Sequence, residues 1–314
     1  MTQYRNALPQ LGREVFLTDS GLETELIYHQ GVDLPQFAAF PLLDDADGLR
    51  RLRSYFDGHA AIAAQADVGF ILESATWRAS ADWGALLGYD PDALARVNRK
   101  AIDLLVQVRD DRAATDRPCP ISGCLGPRDD GYAPATLMPV DASRHYHQQQ
   151  ITTFADTQAD LVTAMTLTYP NEAIGIAQAA REVDMPVVLS FTVETDGNLP
   201  DGSTIAAAIQ TVDDATDAYP AYYMINCAHP SHFAPVLDPH AQWTARIRAV
   251  RANASRKSHA ELDDATALDA GDPIAFGREH ADLRSRFPQL TILGGCCGTD
   301  LSHIEQIAAT CLDT

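Results

Sequence analysis

The sequence predicts an α/β protein built as a single (β/α)8 TIM barrel, with residues 1–314 forming one domain. Short apolar runs, each followed by a turn and a longer amphipathic stretch, recur about eight times along the chain. Apolar runs bounded by Gly, Pro and Asp are typical of buried parallel strands, and their alternation with helices indicates βαβ units. Eight such units in about 300 residues match a barrel. No Pro- or Ser-rich linker divides the chain.

The order of the elements follows from this pattern. Strands are predicted at 15–18, 68–72, 120–123, 161–166, 186–192, 222–226, 247–252 and 290–294, and the seventh of these is the weakest. Helices are predicted at 46–65, 91–109, 142–157, 172–182, 204–215 and 301–311, and the charged segment 255–272 is predicted to be an extended loop or a short helix. An open, doubly wound sheet is the alternative, but it usually carries a glycine-rich phosphate loop after the first strand, and the segment Asp19 to Leu22 is not one.

Composition excludes several classes of protein. Hydrophobic residues make up 46% of the chain and charged residues 21%, which are globular values. The net charge of −20 repels phosphate backbones and anionic lipid, so neither nucleic acid nor a membrane is expected as a partner. No apolar run approaches the roughly 18 residues of a membrane span, and residues 1–13 do not resemble a signal peptide. We therefore expect a cytoplasmic protein, which could be oligomeric.

Three cysteines are predicted to meet at one end of the barrel. In this fold the catalytic residues lie at the carboxyl ends of the strands. Cys227 follows the sixth strand, and the pair Cys296 and Cys297 follows the eighth, between glycines that permit an irregular turn. Three sulfur donors at one rim suit a tetrahedral Zn²⁺ whose fourth position stays open. His229, two residues after Cys227, is a further candidate for that fourth position.

Cysteine residues can also be buried hydrophobes, disulfide partners or redox pairs. Cysteine is often a small buried hydrophobe, and this interpretation is preferred for Cys119, Cys124 and Cys311. Disulfides are not expected in a reducing compartment. A redox pair is disfavoured because adjacent cysteines close a strained ring and the chain has no Cys-x-x-Cys motif.

Several of these motifs resemble the homocysteine S-methyltransferase family over about residues 14 to 310. The zinc signatures are similar to the segments Asn226-Cys227 and Gly294-Gly295-Cys296-Cys297-Gly298. Residues 19–26 resemble the opening segment of the family, and residues 76–80 resemble its second-strand motif. Gly126-Pro127 resembles the end of the family's third strand, and residues 190–192 resemble the end of its fifth strand.

This resemblance implies an enzyme that transfers a methyl group from an onium donor to the thiol of homocysteine or a related thiol, forming methionine or a thioether. Zn²⁺ would be held by Cys227, Cys296 and Cys297, and the substrate thiol would lose its proton on taking the fourth position. Both substrates would be small molecules. The substrate-binding residues carried over or suggested by the same motifs are Asp19, as a partner for the substrate ammonium, with Gly21, Glu25, Thr76, Trp77 and Asn226.

The chain departs from the family where the amino-acid part of the substrate would bind. The fourth strand of the homocysteine enzymes typically ends in Glu-Thr, and that Glu helps to hold the ammonium, whereas here the residues are Met165-Thr166. A thiol with a different tail is therefore compatible with the sequence. Two alternatives remain open: a non-catalytic barrel that binds zinc or a thiol metabolite, and a lyase of another class that uses Lys257 as a Schiff-base residue.

Overall fold

A closed parallel barrel forms the centre of the protein. The computed structural model describes residues 2–112, 117–134, 136–265 and 267–312. The strand segments are β1 (Phe16–Leu17), β2 (Gly69–Phe70), β3 (Leu72–Glu73), β4 (Ile121–Leu125), β5 (Leu161–Leu167), β6 (Val187–Phe191), β7 (Tyr222–Asn226), β8 (Ile247–Ala252) and β9 (Ile292–Gly295). All pairings are parallel, in the order β2-β1-β9-β8-β7-β6-β5-β4-β3.

The two ends of this order belong to one stretch of chain, which closes the barrel. β2 pairs with β1 and β3 pairs with β4, and the two segments are separated only by Ile71. The Ile71 amide donates to the Leu17 carbonyl, and the next amide, Leu72, donates to the Pro120 carbonyl on the opposite neighbour. Residues 69–73 therefore act as a single second strand, and the predicted eight-stranded barrel is confirmed.

Helices surround the barrel and follow the predicted order. They are α1 (Leu22–Thr24), α2 (Ala46–Gln65), α3 (Ala81–Leu86), α4 (Pro91–Asp111), α5 (Val140–Ala155), α6 (Pro170–Glu182), α7 (Ile205–Thr216), α8 (Pro230–Phe233), α9 (His259–Asp263), α10 (Pro273–Arg286) and α11 (Leu301–Cys311). Side-chain caps explain several starts: Asp45 accepts from the amides of Asp47 and Gly48, and Asp90 precedes Pro91 and accepts from the Ala93 amide. No helix among these described residues is long and apolar enough to cross a membrane.

Alternate residues of each strand face two separate cores. Tyr222 and Met224 of β7 belong to the cluster inside the barrel, whereas Tyr223 and Ile225 pack outward beneath the helices. The same alternation carries Glu73 of β3, Asn226 of β7 and Arg251 of β8 to inward positions at the carboxyl end. The interior of the barrel is thus apolar along most of its length and polar at the carboxyl ends of the strands.

The structure confirms the predicted strand with the weakest sequence signal and adds a helix that the pattern did not predict. Strand β8 is a full six-residue strand although its sequence signal is weak, because Arg248 and Arg251 interrupt the apolar run. Helix α10 was not predicted since charged residues dominate it, and only Phe276, Gly277, His280 and Leu283 are buried. Helix α9 confirms a short helix within the segment 255–272.

Candidate active site

Three cysteine sulfurs converge where β7 and β9 end. The ligand atoms of Cys227, Cys296 and Cys297 all lie within 4.8 Å of one another, and no other such cluster of His, Cys, Asp and Glu occurs among the described residues. The sulfurs of Cys227 and Cys297 are 3.7 Å apart. Two sulfurs bound to a tetrahedral zinc at about 2.3 Å each would be about 3.8 Å apart, so this spacing suits a shared ion.

One pairing in this cluster was not expected from the sequence. The structure joins the sulfurs of Cys227 and Cys296 as a disulfide, with their Cα atoms 5.4 Å apart. A disulfide and a three-sulfur metal site need the same sulfur atoms, so the two states exclude each other. Binding of a metal by all three residues requires this pair to be reduced.

Tight backbone geometry brings the three sulfurs together. Cys227 has a φ of 55°, in the left-handed region that turns the chain sharply at the end of β7. Facing it, a Cβ on Gly21 would lie 2.5 Å from the Cys296 carbonyl oxygen, so only glycine allows the first loop to approach the cysteine turn this closely. The hydroxyl of Thr299 then donates to that same carbonyl at 2.7 Å, which fixes the turn.

Tyr132 and His259 cover the sulfurs on one side. The Tyr132 hydroxyl lies 3.6 Å from the Cys297 sulfur, and its ring stacks on the His259 ring with centroids 3.9 Å apart. His259 Nε2 contacts the Cys227 carbonyl oxygen at 2.8 Å. Burial raises the pKa of the Cys297 thiol to about 11, so without a bound cation this thiol is protonated at neutral pH.

Asn226 connects the cysteines to the neighbouring strands. Its Oδ1 accepts from the Thr166 amide at 2.9 Å and from the Ser190 hydroxyl at 2.5 Å. Its Nδ2 donates to the Thr166 hydroxyl at 2.9 Å and lies 4.0 Å from the Cys296 sulfur. Thr166 has a φ of 63°, so Asn226 also holds a strained backbone position at the end of β5.

A cavity of about 400 Å³ opens beside the sulfurs. Its lining includes all three cysteines together with Asp19, Gly21, Trp77, Met165 and Asn226. Met165 thus presents a thioether at the end of β5, where the resemblance leads one to expect a carboxylate. The remaining wall combines aromatic rings and charged groups with small and aliphatic side chains.

A buried ion pair forms part of the cavity floor. An Arg251 nitrogen lies 2.6 Å from an Asp19 carboxylate oxygen, and both side chains are less than a tenth exposed. The same guanidinium donates to the carbonyls of Gly295 and Ser20, and Tyr55 donates to the other Asp19 oxygen at 3.2 Å. Burial lowers the pKa of Arg251, but the carboxylates of Asp19 and Glu73 raise it by more. Asp19 is therefore neutralised by the protein itself.

Two further carboxylates in the cavity bind protons unusually well. Glu73, at the end of β3, accepts from the Thr163 hydroxyl at 3.0 Å through Oε1, while its buried Oε2 has no hydrogen-bond partner. Burial raises the pKa of Glu73 to about 7, and burial likewise raises that of Glu23 to about 7. Glu73 could have been recognised from the sequence, because it stands at an inward position of a strand otherwise filled with apolar residues.

Comparison with known proteins decides the family. The homocysteine S-methyltransferase family model matches residues 16–311. The chain belongs to the homocysteine S-methyltransferase family. The enzyme is therefore an S-methyltransferase, and its substrates are a small-molecule thiol acceptor and a methyl donor.

Relatives of this S-methyltransferase agree in length and fold. The selenocysteine Se-methyltransferase of Brassica oleracea var. italica is 22% identical over 93% of this chain and 87% of its own. The metallated form of the homocysteine methyltransferase MmuM from Escherichia coli superimposes with a TM-score of 0.74, at 19% identity over 94% of this chain and 96% of that chain. The oxidised form of the same protein gives a TM-score of 0.73 at 20% identity, over 98% and 99%.

Two predicted substrate residues of the S-methyltransferase lie outside its cavity lining. The Thr76 hydroxyl donates to the Cys124 carbonyl at 2.8 Å and contacts the Ser74 hydroxyl, so it ties the second strand to β4. Glu25 begins a short π-helix and accepts from Gln30. Neither residue lines the cavity. Contact of either residue with the substrate therefore stays a prediction.

Two other residues, His229 as a fourth zinc ligand and Lys257 as a Schiff-base lysine, are predicted candidates for this site, and both lie outside the sulfur cluster. His229 contacts Ser231 through Nδ1 and lies 3.1 Å from Glu279 through Nε2, and it is not part of the sulfur cluster. Lys257 is half-exposed, lies 3.7 Å from Asp269 and does not line the cavity. The geometry thus gives no support to a fourth protein ligand at His229 or to a Schiff-base lyase.

Proposed function

We propose that this enzyme is a zinc-dependent methyltransferase that moves a methyl group from an onium donor to the thiol of homocysteine or a related thiol. The observation that carries the proposal is the convergence of three cysteine sulfurs beside a cavity. Cys227, Cys296 and Cys297 would hold Zn²⁺ once the bond between the first two is reduced. Bound zinc would supply a Lewis acid that lowers the pKa of a thiol at the open position.

The chain's own residues would orient the two substrates. Trp77 and Tyr132 offer aromatic faces on the cavity wall, and such faces attract methylated cations. Asn226 and Thr299 hold the turns that carry the cysteines, so the acceptor sulfur meets a rigid site. In the transfer, a bond forms between the acceptor sulfur and the methyl carbon. The onium–methyl bond breaks, and its electron pair leaves with a neutral thioether or amine.

The acceptor is proposed to be an amino-acid thiol. The names of the relatives in Brassica oleracea and Escherichia coli point to selenocysteine and homocysteine. With homocysteine as acceptor the product would be methionine. Gly21 lines the cavity next to Cys296, and its lack of a Cβ lets the first loop approach the cysteine turn that would face the acceptor. Asp19, Trp77 and Asn226 complete the proposed set of binding residues at this position.

Residues 1–314 are proposed to form one domain of this type, in keeping with a barrel that extends from β1 to α11. The net charge of −20 supports a small-molecule enzyme with no nucleic-acid or membrane partner. A cytoplasmic location and an oligomeric form remain predictions.

The proposal is tested by metal analysis followed by an activity panel. Protein purified under reducing conditions without chelators should contain about one zinc per chain. It should then be incubated with onium donors of the ammonium and sulfonium classes against several thiols, with products identified by mass spectrometry. Loss of a methyl group from one donor and its gain by one thiol is expected. Absence of zinc, or tight thiol binding with no methylated product from any donor, would contradict the proposal.

A further inference from the structure

Arg78 is a buried cation in the cavity wall that the reaction described above does not use. It follows the second strand, lines the cavity and is 9% exposed. Its guanidinium carbon lies 3.5 Å from the centroid of the Trp83 ring and 4.5 Å from that of Trp77. The two indoles hold the plane of the guanidinium, which preserves its forked array of N–H donors.

Two of the three guanidinium nitrogens of Arg78 lack hydrogen-bond partners. Its Nε and Nη1 atoms are buried without a hydrogen bond, and Arg78 forms no ion pair with any residue that the structure describes. Arg251, the other arginine in the cavity, pairs with Asp19 and donates to two carbonyls. A buried charge without a counter-ion is costly, and an anionic ligand would remove that cost.

The surrounding acids do not neutralise Arg78. Burial lowers its pKa, while the charges of Asp130 and Glu23 act in the opposite direction from a distance and do not offset it. The protein has thus left a guanidinium without an ion-pair partner in the wall of a cavity that otherwise carries mainly negative charge. An anionic group on a bound molecule would supply the missing acceptors.

We propose that Arg78 binds the carboxylate of a substrate in this cavity. The inference rests on the proposed function, since it assumes that the cavity takes amino-acid-like molecules. A carboxylate balances the charge of a guanidinium and accepts charge-assisted hydrogen bonds from it. Arg78 therefore selects for substrates that carry a carboxylate, and it does so without touching the reacting sulfur.

The carboxylate could come from the acceptor or from the donor, and direct binding measurements distinguish the two. Isothermal titration of the reduced, metal-loaded enzyme would use homocysteine against its decarboxylated analogue, and S-methylmethionine against its decarboxylated analogue. The Arg78→Gln variant is expected to weaken binding of one carboxylate-bearing compound about ten- to a hundredfold, with its decarboxylated partner unaffected. The pair that shows this difference identifies the source.

Two further variants serve as a conservative substitution and a matched control. Arg78→Lys retains the charge but not the fork, so it should lie between wild type and Arg78→Gln. Arg128→Gln is the matched control, because Arg128 also stacks on a ring, that of Tyr146, but pairs with Asp82 and does not line the cavity. It should bind all four compounds as wild type does.

These measurements do not depend on turnover, so failure of methyl transfer and failure of the Arg78 assignment are separate results. The assignment is overturned if Arg78→Gln weakens the carboxylate-bearing and decarboxylated compounds equally, or weakens neither. It is also overturned if wild type binds none of the four compounds. Circular dichroism melting of each variant establishes that the protein titrated is folded.

Discussion

The two sides of the cavity are built in different ways. On the side of β7 and β9, the sulfurs are positioned by backbone: Cys227 has a positive φ, and Gly21 allows the approach of the first loop. On the side of the second strand, charged side chains dominate, with Glu73 and Arg78 each retaining polar atoms without partners. The first side holds the three cysteines of the zinc signatures, and the second side holds buried charged groups with unused hydrogen-bonding atoms.

This difference suggests that the sulfur side carries out methyl transfer and that the charged side selects the substrate. A metal site needs its ligands within a few tenths of an ångström, and rigid turns achieve that. Recognition of a substrate tail needs complementary charge, and buried groups with unused hydrogen-bonding capacity provide it. We therefore expect changes on the sulfur side to abolish activity and changes on the charged side to alter affinity, stability and pH dependence.

The largest effect is expected from removing a sulfur. Cys297→Ser should lose both zinc and methyl transfer to background, because a hydroxyl is a poor substitute for a thiolate ligand. Metal analysis and the transfer assay, both under reducing conditions, measure this. Cys311→Ala removes a sulfur buried in the outer core, away from the cavity, and should retain both. Full zinc content in Cys297→Ser would exclude this residue as a ligand.

Breaking the buried ion pair should have the next largest effect. Asp19→Asn leaves the buried Arg251 without its counter-ion and should reduce the free energy of unfolding by about 3–5 kcal/mol. Denaturant titration measures this loss. Glu182→Gln breaks the more exposed pair with Arg144 and should cost less than about 1 kcal/mol. If the Asp19 variant is as stable as wild type but binds the acceptor poorly, its role is in recognition alone.

Asn226 lies on the sulfur side, at the end of β7 next to Cys227, and should affect the metal. Asn226→Ala removes the amide that holds the Thr166 backbone and faces the Cys296 sulfur, and zinc affinity should fall about ten- to a hundredfold. Competition with a chelator gives this number. Asn98→Ala deletes an equally buried amide that bonds the carbonyls of Ala79 and Leu94, and it should leave zinc affinity unchanged. Equal losses in both variants would indicate a general effect on folding.

The smallest expected effect is a change in pH dependence. The pKa of Glu73 is about 7 in the folded protein against an ordinary value of 4.5, so the folded state binds the proton more tightly. Its contribution to stability is present in full below about pH 4.5 and is lost as pH rises through about 7. Between pH 5 and 7 the contribution should fall by about 2 kcal/mol.

Glu73→Gln should remove this part of the slope, and denaturant titrations at several pH values would show it. Glu305→Gln, on the exposed face of α11, deletes the same charge and should leave the slope as in wild type. An unchanged slope in Glu73→Gln would mean that Glu73 stays ionised in the folded protein.

The sequence by itself determined the barrel, the order of its elements and the meeting of three cysteines at one rim. Apolar runs that recur along the chain predict buried parallel strands before it is known which strands pair. In an eight-stranded barrel, the carboxyl ends of strands six and eight lie near each other. Helix α2 was predicted at its observed bounds because the caps and the amphipathic pattern are local signals.

Only the tertiary structure decided what each polar residue near the rim does. The pairing of Asp19 with Arg251 joins residues 232 positions apart, and the bond between Cys227 and Cys296 spans 69. Likewise, the Thr76 hydroxyl donates to a carbonyl of β4, while two nitrogens of Arg78 have no hydrogen-bond partner. Such choices depend on distances and burial across the assembled barrel, and no periodicity in the chain encodes them.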